Sequence, residues 1–122
     1  MSEETEQLKA RTMKFALDIC KLIKQLPAYE PGPIVRRQLA KAATSVALNY
    51  RSSCRSRSHA EFTARIGVVA EESDEAQGWL EFIDAAGLIC SGDLARLLKE
   101  AGEICAIMSA SAGTARANER KQ

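Results

Sequence analysis

All three prolines of this 122-residue chain, Pro27, Pro31 and Pro33, fall inside one seven-residue stretch, PAYEPGP, and residues 34–122 contain none. Proline removes a backbone donor and clashes with the preceding helical turn, so it punctuates a helix wherever it occurs. The stretch therefore ends one helix and begins a loop, and Gly32 adds a residue free to turn. Everything after it is left open to long uninterrupted helices. Strands are disfavoured: Ala, Leu and Ile recur, aromatic residues make up only 5%, and no alternating run rich in Val, Thr or Tyr occurs.

Apolar residues recur at three- and four-residue spacing through four segments, the stripe of an amphipathic helix. Leu8, Thr12, Phe15, Ala16, Ile19, Leu22, Ile23 and Leu26 predict a helix over 5–26. Val35, Leu39, Ala42, Ala43, Val46, Tyr50 and Cys54 predict a second over 34–56, with a core face of mostly small residues. Ser58-His59-Ala60-Glu61 matches the capping box, which opens a third helix at His59. Its stripe of Phe62, Ile66, Val69, Ser73, Ala76, Leu80 and Ile83 runs to Gly87, suited to a left-handed cap, for a span of 59–87. Ser91-Gly92-Asp93 offers the next N-cap. Leu94, Leu97, Leu98, Ala101, Ile104, Cys105 and Met108 carry a fourth helix over 93–115, after which the stripe fades and the tail ARANERKQ is expected to fray.

Four helices of similar length bury their stripes only against one another, and short connections favour antiparallel neighbours. The expected fold is all-α, an antiparallel up-down-up-down four-helix bundle that occupies 1–122 as one domain, since two cores would each be marginal at this length. Gly67 and Gly78, inside the third helix, each cost about 1 kcal/mol relative to Ala and are expected where helices approach closely. No 18-residue apolar run exists, and the acidic opening MSEETEQLK is unlike a leader, so a soluble, cytoplasmic protein is expected. Cys20, Cys54, Cys90 and Cys105 are widely spaced and form no CxxC pair. They read as reduced, small apolar residues on buried faces.

The net charge of +1 conceals an uneven distribution. Residues 34–65 hold Arg36, Arg37, Lys41, Arg51, Arg55, Arg57 and Arg65 against Glu61 alone, a balance of +6. At about 100° per residue, Arg37, Lys41, Arg51 and Arg55 share one narrow face of the second helix, opposite Leu39, Val46 and Tyr50. Guanidinium groups bind phosphate bidentately and stack on bases, so this face reads as a footprint for nucleic acid or for an acidic protein surface. Residues 71–84 carry the complement, −6, in Glu71, Glu72, Asp74, Glu75, Glu81 and Asp84. Opposed patches neutralise each other within one bundle or join neighbouring copies head to tail into a ring. Leu48, apolar amid the cations, is a candidate subunit contact alongside Glu71, Glu72, Asp74 and Glu75.

Chemistry is poorly served. Glu71 and Glu75 invite a di-iron reading, but no Glu-x-x-His occurs, and the single histidine, His59, reads as a solvated first-turn residue. GxSxG and GxxxxGK are absent. Trp79, Phe82 and Tyr50 read as core or interface anchors. No metal, no cofactor and no catalytic residue is expected; the chain reads as a binding protein and not an enzyme.

The string ALNYRSSCRSRSHAEF, residues 47–62, with its NYR-x-x-C-R-x-R-S-x-x-[ED]-F pattern, resembles the 23S rRNA-intervening sequence protein family of small bacterial bundle proteins. RTMKFALDICKLIKQLP resembles that family's first helix, IVRRQLAKAATSVALNYR its second and FTARIGVVAEESDEAQGWLEFIDAAGLI its third, so the likeness runs from Leu8 to Thr114. The resemblance implies an antiparallel four-helix bundle. It also implies relatives such as the accessory variability determinant of diversity-generating retroelements, which forms a pentameric barrel and binds a reverse transcriptase and nucleic acid. Carried over, it implies a homopentamer that contacts RNA or DNA through Arg36, Arg37, Arg51, Arg55 and Arg57. The alternative is a protein-interaction scaffold whose charged patches mediate self-assembly without nucleic acid.

Overall fold

In the computed structural model, which describes residues 2–121, four α-helices follow one another: α1 (Glu3–Leu22), α2 (Gly32–Ser53), α3 (His59–Ala86) and α4 (Gly92–Arg120). No strand occurs among the described residues. Each helix packs on two others, α1 on α2 and α4, and α3 on α2 and α4, so the four enclose one core as a bundle. Arg11, early in α1, meets Glu100 and Glu103, whereas Asp18, two turns on, meets Arg96, a turn or two back along α4.

The helix ends follow local chemistry. α1 begins at Glu3, two residues ahead of the predicted start, because the Ser2 hydroxyl accepts the Thr5 amide at 3.1 Å and the first turn carries Glu3, Glu4 and Glu6, favourable at the positive end of the helix dipole. It relaxes into a 3₁₀ turn at Ile23–Gln25 before the prolines. α2 starts at Gly32, with Pro33 in its first turn, where a missing amide costs nothing. Its glycine is obligatory for space: a Cβ on Gly32 would stand 1.8 Å from the Pro27 carbonyl oxygen.

The capping box at α3 forms in a shifted way. Ser58 Oγ accepts from the Glu61 amide at 3.1 Å, but the Glu61 carboxylate reaches back to the amide of Arg57, one residue further than the motif predicts. Gly87 adopts the left-handed conformation, φ 66°, and closes α3. Ser91 stands at the N-cap of α4 with extended backbone, yet its hydroxyl makes no capping bond, so that part of the expectation fails.

α4 also continues past the predicted end at Ala115. Ala112 and Ala115 are buried in the core, and Ala, Arg and Glu propagate the helix well to Arg120; Gln122 of the expected frayed tail lies outside the described residues. The core itself joins Phe15, Ile19 and Leu22 of α1 to Val35, Leu39 and Val46 of α2, Ile66, Leu80 and Ile83 of α3, and Leu97, Ile104 and Met108 of α4. Thr12 and Ser73 are buried without penalty, because each hydroxyl donates to a carbonyl one turn back in its own helix.

Two placements differ from expectation. Gly67 and Gly78 face open space, not a helix crossing, since nothing lies within 4 Å of where their Cβ atoms would be. Of the four unbridged cysteines none is fully buried, and Cys90 is exposed in the α3–α4 connection, because three of them sit at the edges of the apolar stripes rather than at their centres. No helix is long and apolar enough to cross a membrane.

Candidate nucleic-acid interface

The core stripe of α2 determines where its charges go. With Val35, Leu39, Ala42, Ala43, Val46 and Tyr50 buried, the opposite side of the helix must face outward. There Arg37, Lys41 and Arg51 are exposed, and Leu48 lies among them at 56% exposure; α2 ends at Ser53, short of the predicted 56, so exposed Arg55 stands in the turn just beyond the helix and not on its face. At about 1.5 Å per residue Arg37 and Arg51 stand about 21 Å apart along α2, with Lys41 and Leu48 between them and Arg55 just past the helix end. Among the described residues none of the four forms a salt bridge.

The other three cations of the predicted patch are placed differently. Arg57 is exposed in the α2–α3 connection. Arg36 is half-buried and turned toward the end of the first helical segment, where its guanidinium donates to the carbonyls of Leu26 and Pro27 at 3.5 and 3.4 Å. Arg65 leans back on Glu61, 3.0 Å away, and donates to the Ser52 hydroxyl. Both thus fasten connections of the bundle as well as adding charge.

On α3, Glu71, Asp74 and Glu75 are exposed and Glu72 is half-buried. Burial first, and then the neighbouring Glu75, hold the Glu72 carboxyl above its ordinary pKa, while Lys41 of α2 pulls it the other way. Lys41 and Glu72 thus attract each other across the α2–α3 seam without forming a salt bridge. Among the described residues no carboxylate of the 71–84 run makes a salt bridge, so the two patches do not cancel through direct ion pairs.

The opposite seam is electrostatically closed. Arg11 grips Glu100 at 2.5 and 2.9 Å and Glu103 at 3.1 Å; Asp18 takes Lys14 at 2.9 Å and Arg96 at 3.2 Å. The Arg11 hydrogen bond holds the Glu100 carboxyl below the usual range, and the Lys14 hydrogen bond does the same for Asp18. Exposed large apolar residues show the same asymmetry. Met13, Leu17, Ile34, Leu48, Val68 and Phe82 lie on α1, α2 and α3, and none lies on α4.

His59, read as solvated, is half-buried: its Nε2 lies 3.0 Å from the Ala115 carbonyl oxygen and ties the start of α3 to the end of α4. Tyr50 is buried, and that burial, followed by the neighbouring Cys54, pushes its phenol up to about 12. Trp79 packs against the core and meets Phe82 edge to face at 5.7 Å, with Phe82 itself 44% exposed. Among the described residues no group of three or more His, Cys, Asp and Glu side chains could hold a metal ion.

What the sequence reading missed is the contribution of α1. Arg51 and Arg55 do not stand on an open helix face alone; together with Glu6, Lys9, Ala10, Met13 and Ala47 they line a cleft of about 320 Å³ between α1 and α2. The helical wheel of α1 was the available signal, because Lys9 and Met13 fall at the edge of its apolar stripe.

Fold and site together define a class: an all-α four-helix bundle that carries a row of cations without ion pairs along its second helix and the turn after it. More particularly, the chain belongs to the 23S rRNA-intervening sequence protein family, whose model matches residues 4–110. No curated protein matches it. Among solved structures it is similar to a protein of unknown function from the S23 ribosomal protein family of Bacteroides thetaiotaomicron. The two share 22% identity with a TM-score of 0.77, over 86% of this chain and 97% of that one, a likeness of fold.

Proposed function

We propose that this protein binds nucleic acid, RNA or DNA, or a nucleoprotein partner, through the outer face of α2, and that it does so as a homo-oligomer without chemistry of its own. The observation that carries the reading is the row Arg37, Lys41, Arg51 and Arg55, exposed, without ion pairs and with no acidic residue between them in the chain. Cations left solvated on one face are what a phosphate backbone neutralises, with release of its counterions. Membership of a family named for an rRNA insertion agrees with such a ligand. A pentamer, a reverse transcriptase as nucleoprotein partner and a bacterial cytoplasm as setting complete the proposal, on the resemblance to the retroelement accessory protein.

The test is RNA binding by fluorescence anisotropy. Arg51→Glu with Arg55→Glu is expected to weaken binding at least tenfold. Lys21→Glu with Lys99→Glu, an equal change in net charge at exposed positions on α1 and α4, is expected to weaken it far less. Equal losses from the two pairs would overturn the assignment to α2.

A second reading rests on the unpaired carboxylates Glu71, Asp74 and Glu75 together with exposed Leu48 and Phe82. In it the α2 face of one copy meets the α3 face of the next, and nucleic acid plays no part. Light scattering tests the self-association common to both readings, for which a monomer at micromolar concentration is the contrary result. An oligomer that Leu48→Glu dissociates, with no affinity for RNA, would select the scaffold.

A further inference from the structure

The cleft between α1 and α2 combines two features that an ordinary cationic surface lacks. Its rim holds Arg51, in the last turn of α2, and Arg55, in the turn that follows the helix, neither of them paired with a carboxylate. Its walls include the apolar side chains of Ala10, Met13 and Ala47, with Met13 37% exposed. The third cation, Lys9, is already engaged by Glu6 at 3.3 Å, so the free positive charge of the cleft belongs to the two arginines. At about 320 Å³ the cleft lies at the small end of the range for ligand sites, which suits one nucleotide-sized group.

We infer that this cleft is a subsite for one unpaired nucleotide, in which Arg51 and Arg55 take the phosphate and Met13, beside Ala10 and Ala47, takes the face of the base. The inference rests on the nucleic-acid reading above and deepens it, from any phosphate backbone to a strand with an accessible base. Guanidinium pairs match phosphate geometry, and recognition of unpaired nucleotides combines such cations with a surface on which a base can lie. A thioether is well suited to that surface, since it is polarizable, adaptable and favourable against aromatic rings. A duplex, whose bases are stacked inward, satisfies the arginines but leaves Met13 without a ligand. The same chemistry is offered by a nucleotide within a chain and by a free mononucleotide, which the experiment separates.

The experiment compares an unstructured single-stranded oligonucleotide, a duplex of equal length, adenosine monophosphate and inorganic phosphate as ligands of the full chain. Met13→Ser leaves every charge in place, and since Met13 is not in the buried core the variant is expected to fold, as circular dichroism verifies. The expected result is tighter binding of single strand than duplex, stronger competition by adenosine monophosphate than by phosphate, and an approximately fivefold loss of single-strand affinity in Met13→Ser with an unchanged salt slope. Single-strand affinity well above that of the mononucleotide assigns the subsite to a chain; equal affinity assigns it to a free nucleotide, and either supports the cleft. Equal binding of duplex and single strand, with no effect of Met13→Ser, would overturn the subsite while α2 charge reversal still weakened binding. No salt-dependent binding of any of these ligands would overturn the subsite together with the reading it rests on.

Discussion

Gly32 shows how one residue conditions the whole arrangement of α1 and α2. Its missing Cβ lets the first turn of α2 pass against the Pro27 carbonyl, and its amide donates to the Tyr29 carbonyl at 2.9 Å. Gly32→Ala must move backbone, so it is expected to cost about 1–3 kcal/mol in urea unfolding; an unchanged midpoint would show that the loop yields freely. Tyr50 supplies a second residue-scale prediction. Its pKa in the folded protein is about 12, above the ordinary value near 10, so the fold favours the neutral phenol. That contribution is fully present below pH 10 and is lost as pH rises through 12. In a Tyr29→Phe background, the ultraviolet titration of tyrosinate is expected to have its midpoint near 12 and to coincide with falling stability.

Among the helices, α3 combines a clear sequence signature with the largest misreading. Its start and end were legible because Ser58 and Gly87 act through local backbone chemistry, which spacing alone reveals. The role of Gly67 and Gly78 was not, because a glycine on a helix wheel says nothing about what lies opposite it, and here nothing does. Replacing either by Ala is therefore expected to stabilise the monomer fold by about 1 kcal/mol, through helix propensity without a steric penalty, as read by thermal unfolding. Loss of stability in both variants would mean that this face is covered by another copy. α4 errs in the opposite direction: its stripe fades to alanines after Met108, which look weak in sequence but suffice to pack, so the helix outruns the pattern that predicted it.

Across the whole molecule, charge is divided between a closed seam and an open face. The α1–α4 seam joins Arg11 to Glu100 and Glu103, and Asp18 to Lys14 and Arg96, in partly exposed ion pairs; Arg11→Ala is expected to cost on the order of 1 kcal/mol at pH 7. Glu100 and Asp18 have depressed pKa values, so their contribution holds above the ordinary carboxylate range and is lost as pH falls below about 4, where the variant and the native protein should converge. The bundle and the cationic row of α2 were legible in sequence because both follow from helical periodicity on single elements. The cleft was not, since Arg51 and Arg55 meet Lys9 and Met13 only after α1 and α2 pack. Nor was the diversion of Arg36 to the loop carbonyls, which depends on where the chain turns. The central claim, that the exposed row on α2 is neutralised by phosphates, is tested most directly by the salt dependence of RNA affinity in the native protein. Four phosphate contacts predict that log K falls against log salt with a slope of about −3, and a slope near zero would contradict the claim.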